Sequence, residues 1–383
     1  MTRITLLLAF IIITSSACNL AELNRARLRV AQAQSANRTN NNRSAGTTHQ
    51  PQEIADKRVE DYEREILRRL AASDFAWIDQ EAARVRQNKE RLPGGYWKLR
   101  TLYGAIEHGG GSDTGSDGDF EDLINRLSEW CKQRPGSVTA RVALATAWQQ
   151  YAWKARGGGY ANSVSRAAWQ TFFERLERSA TVLKEAAALK ERCPYWYVTA
   201  IWVGIGQQWE RKDLDRIFAA GVELEPTFYY LYQAKASYLL PQWGGAEGEW
   251  EQFADESALR LGGHQGDIVF FAIYSHVLSL SDLTFMNSRQ QAIPKLIAGF
   301  RSIEKLYGSA PHRLNEACLF AFMGNDVATT NELFNRIGDD YDESVWRSKQ
   351  TFDLMRAGAQ MRAKATQSPR LFRLQTKQFQ KTS

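Results

Sequence analysis

Apolar residues recur every three or four positions through most of the chain and almost never alternate. Between Ser137 and Arg156, Leu144, Trp148, Tyr151 and Ala155 share one helical face, with Ser137 placed as the N-cap. Between Pro311 and Met323, Leu314, Ala317, Cys318, Ala321 and Phe322 repeat that pattern, and Gly324 with Asn325 supplies the stop. The run DIVFFAIYSHVLSL, residues 267–280, is apolar nearly all round. It predicts a helix buried on most sides, with His276 as a hydrogen-bonded core residue. Alternating runs, Asn-Gly turns and β-branched clusters are scarce, so strands are not expected.

The predicted helices come in pairs with short connections. Residues 193–226 read as a helix, a charged break near Arg211 to Asp213, and a second helix ending in Glu-Pro, with Pro226 opening the next. Residues 310–337 form a second such unit. The expected fold is all-α, an irregular array of antiparallel helix pairs in a tetratricopeptide-like superhelix. Such units bury their apolar faces only by stacking, and the stack leaves a concave surface.

The segment SYLLPQWGGAEGEWEQFADE, residues 237–256, breaks the helical pattern most sharply. Pro241 lacks a backbone donor and biases Leu240 away from helix, so the preceding helix should stop there. Gly244 and Gly245 permit a reversal. Trp243 would wedge between helices with its indole N–H on a carbonyl, and Trp250 and Phe253 would face inward from the next helix. This is a structural corner with an aromatic anchor. A second reading sees Glu247, Glu249 and Glu251 beside indole faces, as glycan chemistry requires, although acids in a first helical turn also answer the helix dipole.

Three motifs carry a resemblance. YLLPQWGG followed by EWEQFA, together with YAWKARGGGYAN at 151–162 and RCPYWY at 192–197, resembles an uncharacterised bacterial domain-of-unknown-function family of tetratricopeptide-like helical proteins, over residues 120–340. The resemblance implies an all-α superhelix. It implies no activity and carries over no catalytic residues.

The ends change the picture. Arg3, the apolar run Leu6 to Ile13 and the small residues Ser15, Ser16 and Ala17 precede Cys18. The apolar run is well short of the ~18 residues of a permanent span. The arrangement resembles a bacterial lipoprotein signal with Cys18 as the lipidated residue. It departs from that family at Ser15, where Leu, Val or Ile is usual, and Ser15 with Ala17 also fits ordinary cleavage. Residues 31–52 carry almost no large apolar side chains and predict a flexible tether. The expected organisation is a signal peptide at 1–17, a polar tether at 18–52, a helical-repeat domain at 53–366 and a basic tail at 367–383. The formal net charge of +6 sits in the ends, because residues 356–383 hold seven Lys or Arg and no acid. The middle is mildly acidic, so a nucleic-acid partner is not expected.

Other candidate chemistry is thin. The loop at 108–122 fails the calcium-binding pattern at Gly115 and Ile124 and reads as an acidic loop capped by Asp119. Residues 155–162 match no phosphate loop, although Arg156 beside three glycines is a candidate anion binder. The five histidines form no paired metal spacing, and no nucleophile elbow occurs, so neither a metal nor a cofactor is expected. Cys131 and Cys193 are a candidate disulfide in an oxidising envelope, with free buried thiols as the alternative. The expected function is non-catalytic: an exported, lipid-anchored helical-repeat protein of the cell envelope holding a protein or peptide in its groove. The alternative is a glycan-binding or glycan-processing all-α protein. The candidate corner residues are Arg156, Trp243, Gly244, Gly245 and Trp250.

Overall fold

The computed structural model describes residues 50–108, 115–157, 161–280, 286 and 288–367. Cys18 and the signal segment lie outside them, as do residues 368–383 of the basic tail.

The described chain is all-α. Its helices are α1 (Gln50–Ala71), α2 (Phe75–Gln87), α3 (Lys98–His108), α4 (Asp117–Gln133), α5 (Val138–Arg156), α6 (Arg166–Ala187), α7 (Pro194–Gly206) and α8 (Arg211–Leu224). They continue as α9 (Tyr229–Tyr238), α10 (Glu249–Leu261), α11 (Gly263–Ser279), α12 (Ile293–Tyr307), α13 (Pro311–Met323), α14 (Val327–Ile337), the single turn α15 (Glu343–Trp346) and α16 (Lys349–Gln367). The described residues contain no strand, only one isolated bridge between Arg91 and Trp97.

Local chemistry sets the boundaries. Ser137 caps α5 by accepting from the Ala140 N–H at 2.9 Å, as its position predicts. At α4 the cap is Ser116 rather than Asp119, which sits three residues on and returns a carboxylate to the Ser116 N–H, closing a capping box. α8 begins at Arg211 instead of breaking there. Pro226 does not open α9, because the Glu225 carboxylate accepts from the Thr227 N–H and hydroxyl and holds a turn until Tyr229. α1 begins at Gln50, so the last residues assigned to the tether already belong to a helix.

Neighbouring helices pair in sequence order: α5 with α6, α7 with α8, α10 and α12 with α11, and α13 with α14. Across the pairs, α3, α5, α7, α9 and α11 touch in succession and form an inner row. One hydrophobic core runs unbroken from Ile66 to Ala359. α11 is buried along most of its length, as its all-round apolar pattern predicts. His276 on it is held by Ser237 at 2.7 Å, and burial pulls its pKa down to about 4.

The array curls back on itself. The tight hairpin between α2 and α3 closes with the Leu92 N–H on the Tyr96 carbonyl at 2.8 Å. From there it reaches two distant connections. Trp97 donates its indole N–H to the Thr227 carbonyl at 3.2 Å, and the Gly94 N–H donates to the Gly308 carbonyl at 3.1 Å. Tyr229 donates to the Gly95 carbonyl, and Arg313 lies over the Tyr96 ring. α1 also touches α13. The hairpin therefore pins the α8–α9 and α12–α13 connections together.

Candidate functional site

Two regions concentrate chemistry. The first is the corner. Pro241 opens a short 3₁₀ turn ending at Trp243, and Gly244 then takes φ +114°. A β-carbon on Gly245 would lie 1.8 Å from the Leu239 carbonyl oxygen, so only glycine lets the chain double back so closely.

Trp243 meets residues from two other segments. Its ring packs edge-on against Trp153 at 5.4 Å between centroids, and Trp153 packs edge-on against Trp202 and Phe172. The Arg156 guanidinium lies 5.8, 5.5 and 5.7 Å from the Trp153, Trp169 and Trp243 rings. Arg156 is buried, while the four tryptophans stay partly exposed and Phe173 beside them is 44 % exposed. Two candidate residues far apart in sequence, Arg156 and Trp243, thus belong to one cluster. Sequence reasoning did not join them to Trp153, Trp169 and Trp202, although the i, i+3 spacing of Trp153 and Arg156 was a usable signal.

Trp250 is placed elsewhere. It is buried against Tyr274, with Arg289 over its ring. The indole N–H of Trp243 donates to no carbonyl among the described residues, and its ring packs edge-on against Trp153 instead. The Trp153 indole N–H is buried without a hydrogen-bond partner, an orphan donor at the centre of the cluster. The nearby acids are engaged. Glu249 is bonded by Arg211 and by the Ala246 N–H, which hold its carboxyl below the usual range, and Glu251 pairs with Arg289 at 2.8 Å. A general acid needs the opposite shift, upward. Glu247 is exposed.

The second region, unforeseen from the letters, runs from α3, α5 and α7 of the inner row to α11, α13 and the start of α15. The Glu107 carboxylate accepts from the Tyr195 hydroxyl at 2.7 Å and from Gln150 at 2.8 Å, with Arg100 at 3.3 Å. Further along, Arg313 pairs with Glu316 at 2.7 Å, and Ser275 also donates to Glu316. His312 joins Glu316 at 3.2 Å to Asp342 at 2.7 Å. Burial alone would raise the Glu316 carboxyl, but His312, Arg313 and the Ser275 hydroxyl outweigh it and hold it well below the ordinary range. Asn315, fully buried, accepts from the Trp346 indole at 2.6 Å and donates to the Pro311 carbonyl at 2.9 Å. Within α13 the i, i+3 and i, i+4 spacings of Arg313 and His312 to Glu316 were a usable signal, but no spacing joins them to Ser275 and Asp342, or Glu107 to Tyr195 and Gln150.

The candidate disulfide is not made. Cys131, Cys193 and Cys318 are free thiols. Cys193 lies against the Tyr103 hydroxyl at 3.4 Å, and burial pushes the Cys131 thiol up to about 11. Among the described residues no cluster of His, Cys, Asp and Glu could hold a metal, and no helix is long and apolar enough to cross a membrane. No family model matches the chain, and no curated protein and no solved structure matches it.

Proposed function

We propose that this chain is a non-catalytic helical-repeat protein of the cell envelope that binds a protein or peptide partner, with the tryptophan corner as its docking anchor. One observation carries the reading: three partly exposed indoles from α5, α6 and the 3₁₀ turn converge on a buried arginine beside the exposed Phe173, and a fourth, Trp202 of α7, packs edge-on against Trp153. Tryptophan and arginine dominate interface hot spots, and large apolar rings left at a surface in a group mark a contact site. Export with lipidation at Cys18, and the tetratricopeptide-like family resemblance of the three motifs, belong to the same reading.

The test places a photo-crosslinking residue at Phe173 in the full chain in its native membrane. The expected result is one recurrent adduct that Trp169→Ala removes while the helical content is kept. An adduct pattern indifferent to Trp169→Ala overturns the reading. The same indole faces support a glycan ligand as a second reading. Saturable binding of purified peptidoglycan or polysaccharide that quenches tryptophan fluorescence would favour it over a protein partner.

A further inference from the structure

We propose that α16 docks antiparallel on α16 of a second copy of this chain, making the end of the array a dimer interface independent of the tryptophan corner. α16 is the last described helix, and its inner side is held by Phe352, which packs against Phe334 of α14 and Trp346 of α15. Ala359, two turns on, is buried on the same side. The outer side departs from what the end of a stacked array needs, since a terminal unit stays soluble alone by presenting a polar face. Here Leu354 is 73 % exposed and Met361 66 %. Seven residues apart, they share one face of the helix, turned away from Phe352.

The spacing on that face fits another helix. Gln350, Leu354, Ala357, Met361 and Lys364 are all exposed and recur at alternating intervals of four and three. That is the seam along which two helices interlock. A second α16 related by a two-fold axis offers the same seam in reverse. With the axis at the height of Ala359, Met361 lies over Ala357 of the second copy, large against small. Leu354 then lies under the aliphatic stem of Lys364 of the second copy.

Charge selects this register. Lys364 makes no ion pair among the described residues. Its stem on Leu354 of the second copy brings its ammonium beside the neighbouring Asp353, the only acid of α16 and on the same flank. Asp353 takes Lys349 and Arg356 from its own helix and keeps 43 % of its side chain exposed. A carboxylate has room for about four donors, so a further ammonium can be accepted. The other cations lean off the seam, Arg356 toward Asp339 and Arg362 toward Asn325. Symmetry makes each contact twice.

The test is sedimentation equilibrium of the full chain in detergent over about two decades of concentration. The expected result is a reversible dimer. Met361→Lys, at an exposed position that leaves the fold intact, should weaken it at least about tenfold, because the apolar contact is lost on both sides of the axis. Asp353→Lys should weaken it about threefold, and adding Lys364→Asp, which reverses the pair, should recover most of that loss. A chain that stays monomeric, a dimer indifferent to Met361→Lys, or a reversed pair that recovers nothing overturns the proposal. Dimers that form only after residues 368–383 are deleted also overturn it, and make that tail the occupant of the face.

Discussion

Two turns in this molecule are written almost alike. Pro93-Gly94-Gly95 and Pro241-Gln242-Trp243-Gly244-Gly245 each place a proline at the start of a 3₁₀ turn and end it on paired glycines. At the second, the crowding is local: Gly245 is pressed on the Leu239 carbonyl six residues earlier, and Gly244 is exposed. At the first, Gly94 is buried by side chains more than two hundred residues away, with Ala310 and Arg313 against it. One turn redirects the chain, while the other fastens its two halves. The same letters serve either purpose, and only the residues brought in from a distance decide which.

The largest effects should separate these roles. In Gly245→Ala the new methyl would lie 1.8 Å from a backbone oxygen that cannot swing aside. A loss above about 4 kcal/mol is expected, as for other gross overpacking. Gly94→Ala puts a β-carbon 2.6 Å from Ala310 Cβ at φ +76° and should cost about 3 kcal/mol. Hydrogen exchange distinguishes the two. Gly94→Ala should speed exchange in α1–α3 and α12–α13 together, and Gly245→Ala only around α9 and α10. Fast exchange confined to residues 88–98 in Gly94→Ala would show that the hairpin pins nothing.

Next in size is the buried ion network beside the pin. Glu316→Gln leaves Arg313 charged and without its carboxylate, and the expected loss is about 3 kcal/mol in chemical denaturation. A variant as stable as the parent would mean that water already compensates Arg313.

This contrast also marks how far the letters reach. Helical period and caps were legible: Ser137, the stop at Gly324 and Asn325, and the all-round apolar α11 each follow from local rules. The redirecting corner was legible for the same reason, since proline and glycine act on their own neighbours. Arg156 and Trp243 were marked singly, but their meeting was not, because it depends on how α5 and the corner stack. The pin was illegible. Gly94 carries no sign of Ala310, and Glu107 none of Tyr195, because long-range contacts leave no period in the chain.

A smaller effect comes from two groups with opposite signs. Glu63 has its carboxyl raised to about 7, so between pH 4.5 and 7 the folded chain holds a proton that the unfolded chain has lost, and stability falls as pH rises. His276 is pulled down to about 4 from 6.5, so in that interval the unfolded chain binds the extra proton and stability rises with pH. In the parent the two slopes offset each other. Glu63→Gln should leave the rising limb and gain about 1–2 kcal/mol at pH 8, a figure discounted because water reaches this half-buried side chain. Melting curves from pH 4 to 8 check it, and an unchanged slope would remove Glu63 from the account.

The smallest expected effect returns to the exposed glycine. At Gly244 a β-carbon meets nothing nearer than Tyr238 at 3.9 Å, so only the φ of +114° opposes a side chain. Gly244→Ala should therefore cost about 1 kcal/mol, the ordinary penalty for a left-handed conformation. Gly244→Asn should cost less, because asparagine tolerates that region. The two variants share the space and differ in backbone preference, so their order is informative. If asparagine were the worse of the two, the opposition would come from packing, and the contrast with the buried Gly94 would shrink to one of degree.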